Sequence, residues 1–185
     1  MFKTAVDTEE TVKDLETREA ESAGFRELYL ETYPAVYKYV FRRLRTDVDD
    51  VVEDTFVTAW RRRSSTPSNP DEHLLWLYGI ARRLIANRVR LHSRRGRFVR
   101  EMEPISHTAS STEDAAVASV MVHAALGRMK HNDREILLLV EWDGLSVDQS
   151  ARVLGITSTT ATKRLAAARQ QFKQLCGDQR TSSSD

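Results

Sequence analysis

The chain has 185 residues and a mass of 21.1 kDa, which suits one ordinary domain or two small ones and excludes a large multidomain enzyme. Seven glycines and four prolines, about 4% and 2% of the chain against roughly 7% and 5% in average usage, exclude a turn-dense β-sandwich or barrel and favour helices. The net charge of +1 conceals a strong segregation: −4 over residues 1–23, +7 over 24–100, −4 over 101–121 and +2 over 122–185.

The first 22 residues, acidic and without an apolar core behind a basic flank, read as a disordered tail and not as a secretory signal. The longest apolar run, Ile136 to Val140, is far short of the ~20 residues that cross a bilayer. A cytoplasmic location follows as the expectation. From Phe25, the residues Leu28, Tyr29, Val36, Tyr37, Val40, Phe41 and Leu44 fall near helical spacing, with Pro34 expected to kink the helix or to start a new segment. The next series is the cleanest amphipathic pattern in the chain: Val48, Val51, Val52, Thr55, Phe56, Ala59 and Trp60 follow i, i+3, i+4 spacing over three turns, and Asp49, Asp50, Glu53 and Asp54 stay off that stripe.

A breaker-rich loop over residues 64–70 precedes a third pattern, Leu74, Leu77, Ile80, Ala81, Leu84, Ile85 and Val89. It runs into a basic stretch in which Arg82, Arg83, Arg88, Arg90, Arg94, Arg95, Arg97 and Arg100 meet no acid. Both Trp60 and Trp76 lie on apolar stripes, which points to core packing more than to base stacking. Residues 101–120, acidic, small and polar around Pro104, read as a flexible linker.

Beyond the linker, a short amphipathic segment covers residues 122–129, and Asp133 is placed to cap a helix running to Trp142, with Gly144 as its stop. Ser146 and Gln149 have the capping-box spacing and open a short helix to Leu154, which Gly155 ends. Thr157 or Ser158 caps a last helix whose inner face is Ala161, Leu165, Ala168, Phe172 and Leu175. Helix, glycine-containing turn and helix make a helix-turn-helix, whose second helix can enter a DNA major groove by its first residues. Those are Ser158, Thr159, Thr160, Thr162, Lys163 and Arg164. The lone Cys176 reads as a buried or partly buried thiol, and five histidines without paired ligand spacing imply no metal and no cofactor.

The fold class is therefore all-α: two small helical domains, residues 23–100 and 121–178, joined by a flexible acidic linker, the second containing the helix-turn-helix and ending in a tail over 179–185. Three separated motifs stand in order: DDVVEDTFVTAW (49–60), WLYGIARRLIANRVR (76–90), and DREILLL (133–139) with GLS (144–146) and RVLGIT (152–157). Over residues 25–175 this set resembles the extracytoplasmic-function class of bacterial RNA polymerase sigma factors. Departures from the family pattern are Glu53 where Gln is usual, Arg83 where Asn is common, and Thr159, Ala161 and Ala167 where Gly, Val and Arg are often found.

The resemblance implies a non-enzymatic promoter-specificity subunit. It implies that Asp49, Asp50, Glu53 and Asp54 dock on the β′ coiled coil of core RNA polymerase, with the β flap as a second contact. Asn69, Arg82, Arg83, Asn87, Arg88, Arg90 and Arg94 would serve the −10 element, with the loop over residues 64–71 receiving an unstacked base. Ser158 to Thr160 and Thr162 to Arg164 would serve the −35 duplex, and an anti-sigma factor is an expected partner. Two other readings remain open at this level. One is a helix-turn-helix regulator that does not engage polymerase. The other takes the acids after Val48 as a carboxylate-rich magnesium site on a helix, although no second acidic cluster faces them.

Overall fold

The computed structural model describes the backbone of residues 3–44, 46–94 and 113–181 and the side chains of 19–44, 46–91 and 120–177. Seven α-helices and two short 3-10 turns make up the described residues, which contain no strand. Two compact units divide after Arg90.

The first unit holds α1 (Lys3–Phe41), α2 (Val48–Arg61) and the start of α3 (His73–Arg94). Its core is Val36, Tyr39 and Val40 of α1, Val51, Thr55 and Ala59 of α2, and Leu77 and Ala81 of α3, all at 1% exposure or less. Burying each of the large apolar side chains contributes about 1.5 to 3 kcal/mol. Two buried threonines are compatible with this core because their hydroxyls are satisfied locally: Thr32 donates to the Leu28 carbonyl (2.6 Å) and Thr55 to that of Val51 (2.7 Å). The α1 and α3 helices meet through rings, with Tyr39 stacked on Tyr78 at 4.3 Å.

The structure corrects several expectations here. α1 begins at Lys3, inside the segment read as a tail, because residues 3–23 contain neither glycine nor proline and helix extends there without needing an apolar stripe. It also passes through Pro34 without starting a new segment: Pro34 is exposed, and losing one N–H on the solvent side is tolerated. Only part of the stripe proposed for α1 is core. Tyr29 and Phe41 are exposed and Tyr33 and Tyr37 half-buried, and at four-residue spacing they form a ladder of rings that Phe56 of α2 joins. Trp60 is 37% exposed, at the margin of its stripe, with its ring edge-on to Phe25.

The second unit holds α4 (Glu113–Arg128), α5 (His131–Glu141), α6 (Val147–Leu154) and α7 (Ser158–Thr181). α7 packs on each of the other three, and buried Ala125, Ala151, Ala161 and Ala168 allow close approach around Ile136 and Leu139. α4 starts inside the expected linker, since Glu113 and Asp114 favour the positive end of a helix and the alanines after them are strong helix formers. Residues 101–112 of that linker lie outside the described residues, and so do residues 182–185 of the expected C-terminal tail, into which α7 runs as far as Thr181. Asp133 is not the cap of α5: Lys130, in extended conformation, holds that position and its carbonyl accepts from the Asp133 N–H (3.0 Å), leaving Asp133 in the first turn.

Candidate nucleic-acid interface

On α2 the buried set Val51, Val52, Thr55, Phe56 and Ala59 leaves Asp49, Asp50, Glu53 and Asp54 exposed together on the outer side. Asp49 and Asp50 also sit in the first turn, where the helix dipole favours negative charge. The phenol of Tyr33 is pushed above its ordinary pKa by desolvation first, then by Tyr29, Asp49 and Tyr37, so it stays neutral at physiological pH.

The basic residues of α3 do not form one patch. Arg83, Asn87 and Arg90, spaced by four and three, share an exposed face, and the Arg90 guanidinium donates to the Asn87 side-chain oxygen. Arg82 is half-buried on one flank, with an Nε that has no hydrogen-bond partner. Arg88, on the other flank, turns to α2: its guanidinium lies 3.8 Å from Asp47, 3.8 Å from Asp50 and 3.9 Å from Asp54. Two groups that the sequence had sorted to different partners thus form one ion cluster. The side chain of Arg94 lies outside the described residues.

Between α2 and α3, two 3-10 turns (Arg63–Ser65 and Pro70–Glu72) order the loop. Asn69 caps the second, its side-chain oxygen accepting from the Asp71 N–H at 3.1 Å. His73 Nε2 lies 3.0 Å from the Pro67 carbonyl, and because a carbonyl only accepts, Nε2 carries the proton. At the start of the loop, Arg63 donates to Glu21 of α1 at 2.7 Å and lies over the Trp60 ring, 4.8 Å from its centroid. Sequence reasoning missed Glu21 and Arg63; only the basic run 61–63 following the α2 stripe signalled that the loop entry carries charge.

In the second unit the capping box is present in full. Ser146 Oγ accepts from the Gln149 N–H (3.1 Å) and Gln149 Oε1 from the Ser146 N–H (2.9 Å). Gly155 adopts φ 68°, and the bonds from Ile156 N–H to Ala151 O (3.0 Å) and from Gly155 N–H to Arg152 O (3.2 Å) close α6 in a Schellman motif. Thr157 then caps α7, accepting from the Thr160 N–H at 3.2 Å. Ser158, Thr159, Thr160, Thr162 and Lys163 are exposed on the first two turns, and Arg164 is half-buried. Two of these hydroxyls already have local partners: Thr160 pairs with Thr157 (2.8 Å), and Thr162 donates to the Ser158 carbonyl (2.9 Å). Behind them Ala161, Leu165 and Ala168 are buried as the periodicity requires, while Phe172 and Leu175 are half-buried and Phe172 meets Trp142 edge-on.

Two family models match the chain: Sigma-70 region 2 over residues 28–95 and Sigma-70, region 4 over residues 119–172. The ECF RNA polymerase sigma factor BldN of Streptomyces coelicolor is 30% identical over 145 residues, covering 73% of this chain and 53% of BldN, so the chain spans about half of that relative's length. The RNA polymerase sigma factor CnrH of Cupriavidus metallidurans is 30% identical over 145 residues, covering 70% of this chain and 73% of CnrH. A solved structure of CnrH in complex with the cytosolic domain of CnrY superposes with a TM-score of 0.64 at 26% identity, over 87% of this chain and 94% of that one.

Proposed function

The chain belongs to the extracytoplasmic-function class of RNA polymerase sigma factors, and from that premise we propose that it binds core RNA polymerase and directs promoter recognition and initiation. The observation that carries this reading is the division of charge over the two matched regions. Exposed acids stand on α2, an exposed basic and amide face on α3, and an exposed polar and basic helix start follows a glycine turn.

In this reading Asp49, Asp50, Glu53 and Asp54 meet a basic coiled coil of the β′ subunit, where complementary charge sets orientation and encounter rate. The Arg83, Asn87 and Arg90 face holds the phosphates of the −10 strand, and the loop with Asn69 takes an unstacked base. The Asn69 side-chain oxygen is committed to its turn, so its contribution is to set the loop backbone or to donate from its amide. Arg82 and Arg88 support this face from its flanks, and Arg94 continues its register one turn on. In the second unit α7 enters the −35 major groove, with Thr159 and Lys163 as direct readers, Arg164 as an anchor, and Ser158, Thr160 and Thr162 shaping the helix start.

The polymerase supplies the bond-making chemistry, and the sigma factor supplies recognition alone. It acts in the cytoplasm, also touches the β flap, and is restrained by an anti-sigma factor; CnrH, too, is found in complex with a protein partner, the cytosolic domain of CnrY. A regulator independent of polymerase would leave the region 2 match without a use. Reconstituted transcription with core polymerase and a genomic promoter library tests the proposal. Promoter-specific initiation is the expected result, and failure at every promoter by folded protein rejects it.

A further inference from the structure

In the first unit, α1 meets the loop over residues 62–72 at a junction of charged and aromatic side chains. Glu21 lies seven residues before the region 2 match begins at residue 28, and nothing in that match assigns it a role. Its Oε2 accepts from Arg63 Nε at 2.7 Å, across 42 residues of sequence. The same guanidinium lies over Trp60, Trp60 meets Phe25 edge-on at 5.1 Å, and Phe25 returns the chain of contacts to α1. A cleft of about 300 Å³ sits beside this latch, bordered by Gly24, Phe25 and Leu28 on the α1 side and by Ser64, Thr66 and His73 on the loop side. At its other end the loop is held by His73 on the Pro67 carbonyl and by the Asn69 cap. The loop is thus pinned at its far end to the first residue of α3, whereas its near end is tied to α1 by the Arg63–Glu21 pair beside the Trp60–Phe25 contact.

We infer that Glu21 is a positioning residue for promoter readout: acting through Arg63, it holds the entry of the loop at the height on α1 from which the loop receives the unstacked −10 base. This rests on the reading of the loop as the base-receiving element. A base pocket discriminates only when its walls are held before the base arrives, and displacements of about 1 Å in a recognition geometry are costly. Both side chains of the latch are nearly half exposed, at 42% and 45%, so they add little to fold stability and their removal leaves the unit folded. The helix N-terminal to the matched region thereby takes part in specificity without touching DNA.

The test uses full-length protein in reconstituted holoenzyme, with promoters randomised through the −10 and −35 elements. Glu21→Gln and Glu21→Arg should each reduce discrimination at the base taken by the loop, by about 1.4-fold to fivefold, the range an exposed ion pair can supply. The −35 preference and the melting temperature should be unchanged. Adding Arg63→Glu to Glu21→Arg restores opposite charges and should recover most of the lost discrimination, while the unchanged melting temperature of the single variants separates this from a merely structural role. Unchanged −10 discrimination in both single variants overturns the inference. Loss that the charge-swapped pair fails to recover also overturns it. If the parent holoenzyme initiates at no promoter, the sigma-factor reading itself fails, a result separable from the other two.

Discussion

Arg88 Nη2 lies 3.8 Å from Asp50 Oδ2, so one guanidinium of α3 stands among the exposed carboxylates of α2. Asp47 and Asp54 complete the cluster, and the Arg88 side chain is 29% exposed against 67% for Asp50. Reversing charge at Asp50 therefore disturbs the fold as well as the proposed docking face. Asp49 and Glu53 are the cleaner probes of docking.

The double variant Asp49→Lys and Glu53→Lys should weaken binding to core polymerase by at least about tenfold, because two complementary contacts become repulsive. Its stability should stay within about 0.5 kcal/mol of the parent, as for other exposed substitutions. Asp50→Lys should cost more stability, up to about 1 kcal/mol, by placing a cation beside Arg88. Equilibrium binding and urea unfolding of the same samples check both halves. Parent-like polymerase affinity in the double variant would make the acidic face merely solvated.

Removing arginines of α3 should have two different effects. Arg83→Ala and Arg90→Ala should each weaken holoenzyme binding to the melted −10 region and lower its salt slope by about one. Arg88→Ala should chiefly lower stability, by about 0.5 to 1 kcal/mol, since its charge is already balanced by three carboxylates. Salt titrations of promoter binding, read with permanganate reactivity of the opened strand, separate the two. An Arg88 variant that loses the larger salt slope would show that the ion cluster opens on DNA.

Lys163→Ala should cost about 1 to 3 kcal/mol and relax preference at one −35 position if this exposed side chain reads a base edge. A phosphate contact would weaken all sequences alike. Selection on randomised −35 duplexes distinguishes the outcomes, and equal affinity for every duplex would remove Lys163 from the interface.

Ser150 is fully buried in α6, and its hydroxyl has no hydrogen-bond partner. Ser150→Ala should leave stability unchanged or raise it by about 1 kcal/mol, because a buried hydroxyl without a partner carries its desolvation cost. A fall in melting temperature would mean that the hydroxyl is satisfied in solution.

Gly155→Ala should destabilise the second unit by about 1 kcal/mol, the cost of a Cβ in the left-handed region. Beyond Gly155 itself and its two chain neighbours, no atom lies within 4 Å of the position that Cβ would take, so the backbone term acts alone. A neutral effect would show that the turn can relax into another conformation.

The amino-acid sequence by itself determined the features whose partners lie within one or two turns. The α2 stripe, the Ser146 and Gln149 capping box, the Gly155 terminator and the buried Ala161, Leu165 and Ala168 face depend only on helical periodicity and on bonds between residues three to five apart. The helix limits were less legible. α1 through residues 3–23 and α4 through residues 113–121 carry helix-forming composition without an apolar stripe, and a reading based on buried faces has no purchase there.

What only the tertiary structure decided is which charge meets which. Eight arginines stand between Leu74 and Arg100, and their identity says nothing of why Arg88 joins α2 while Arg83 and Arg90 face outward; that follows from which face of α3 is turned to the α2 carboxylates. Glu21 and Arg63 are ordinary surface charges in the sequence, and folding makes them a latch because the end of α2 is brought back against α1 across 42 residues. Long, flexible charged side chains accept many partners at similar cost, so their pairing is settled by where the backbone carries them and not by local preference.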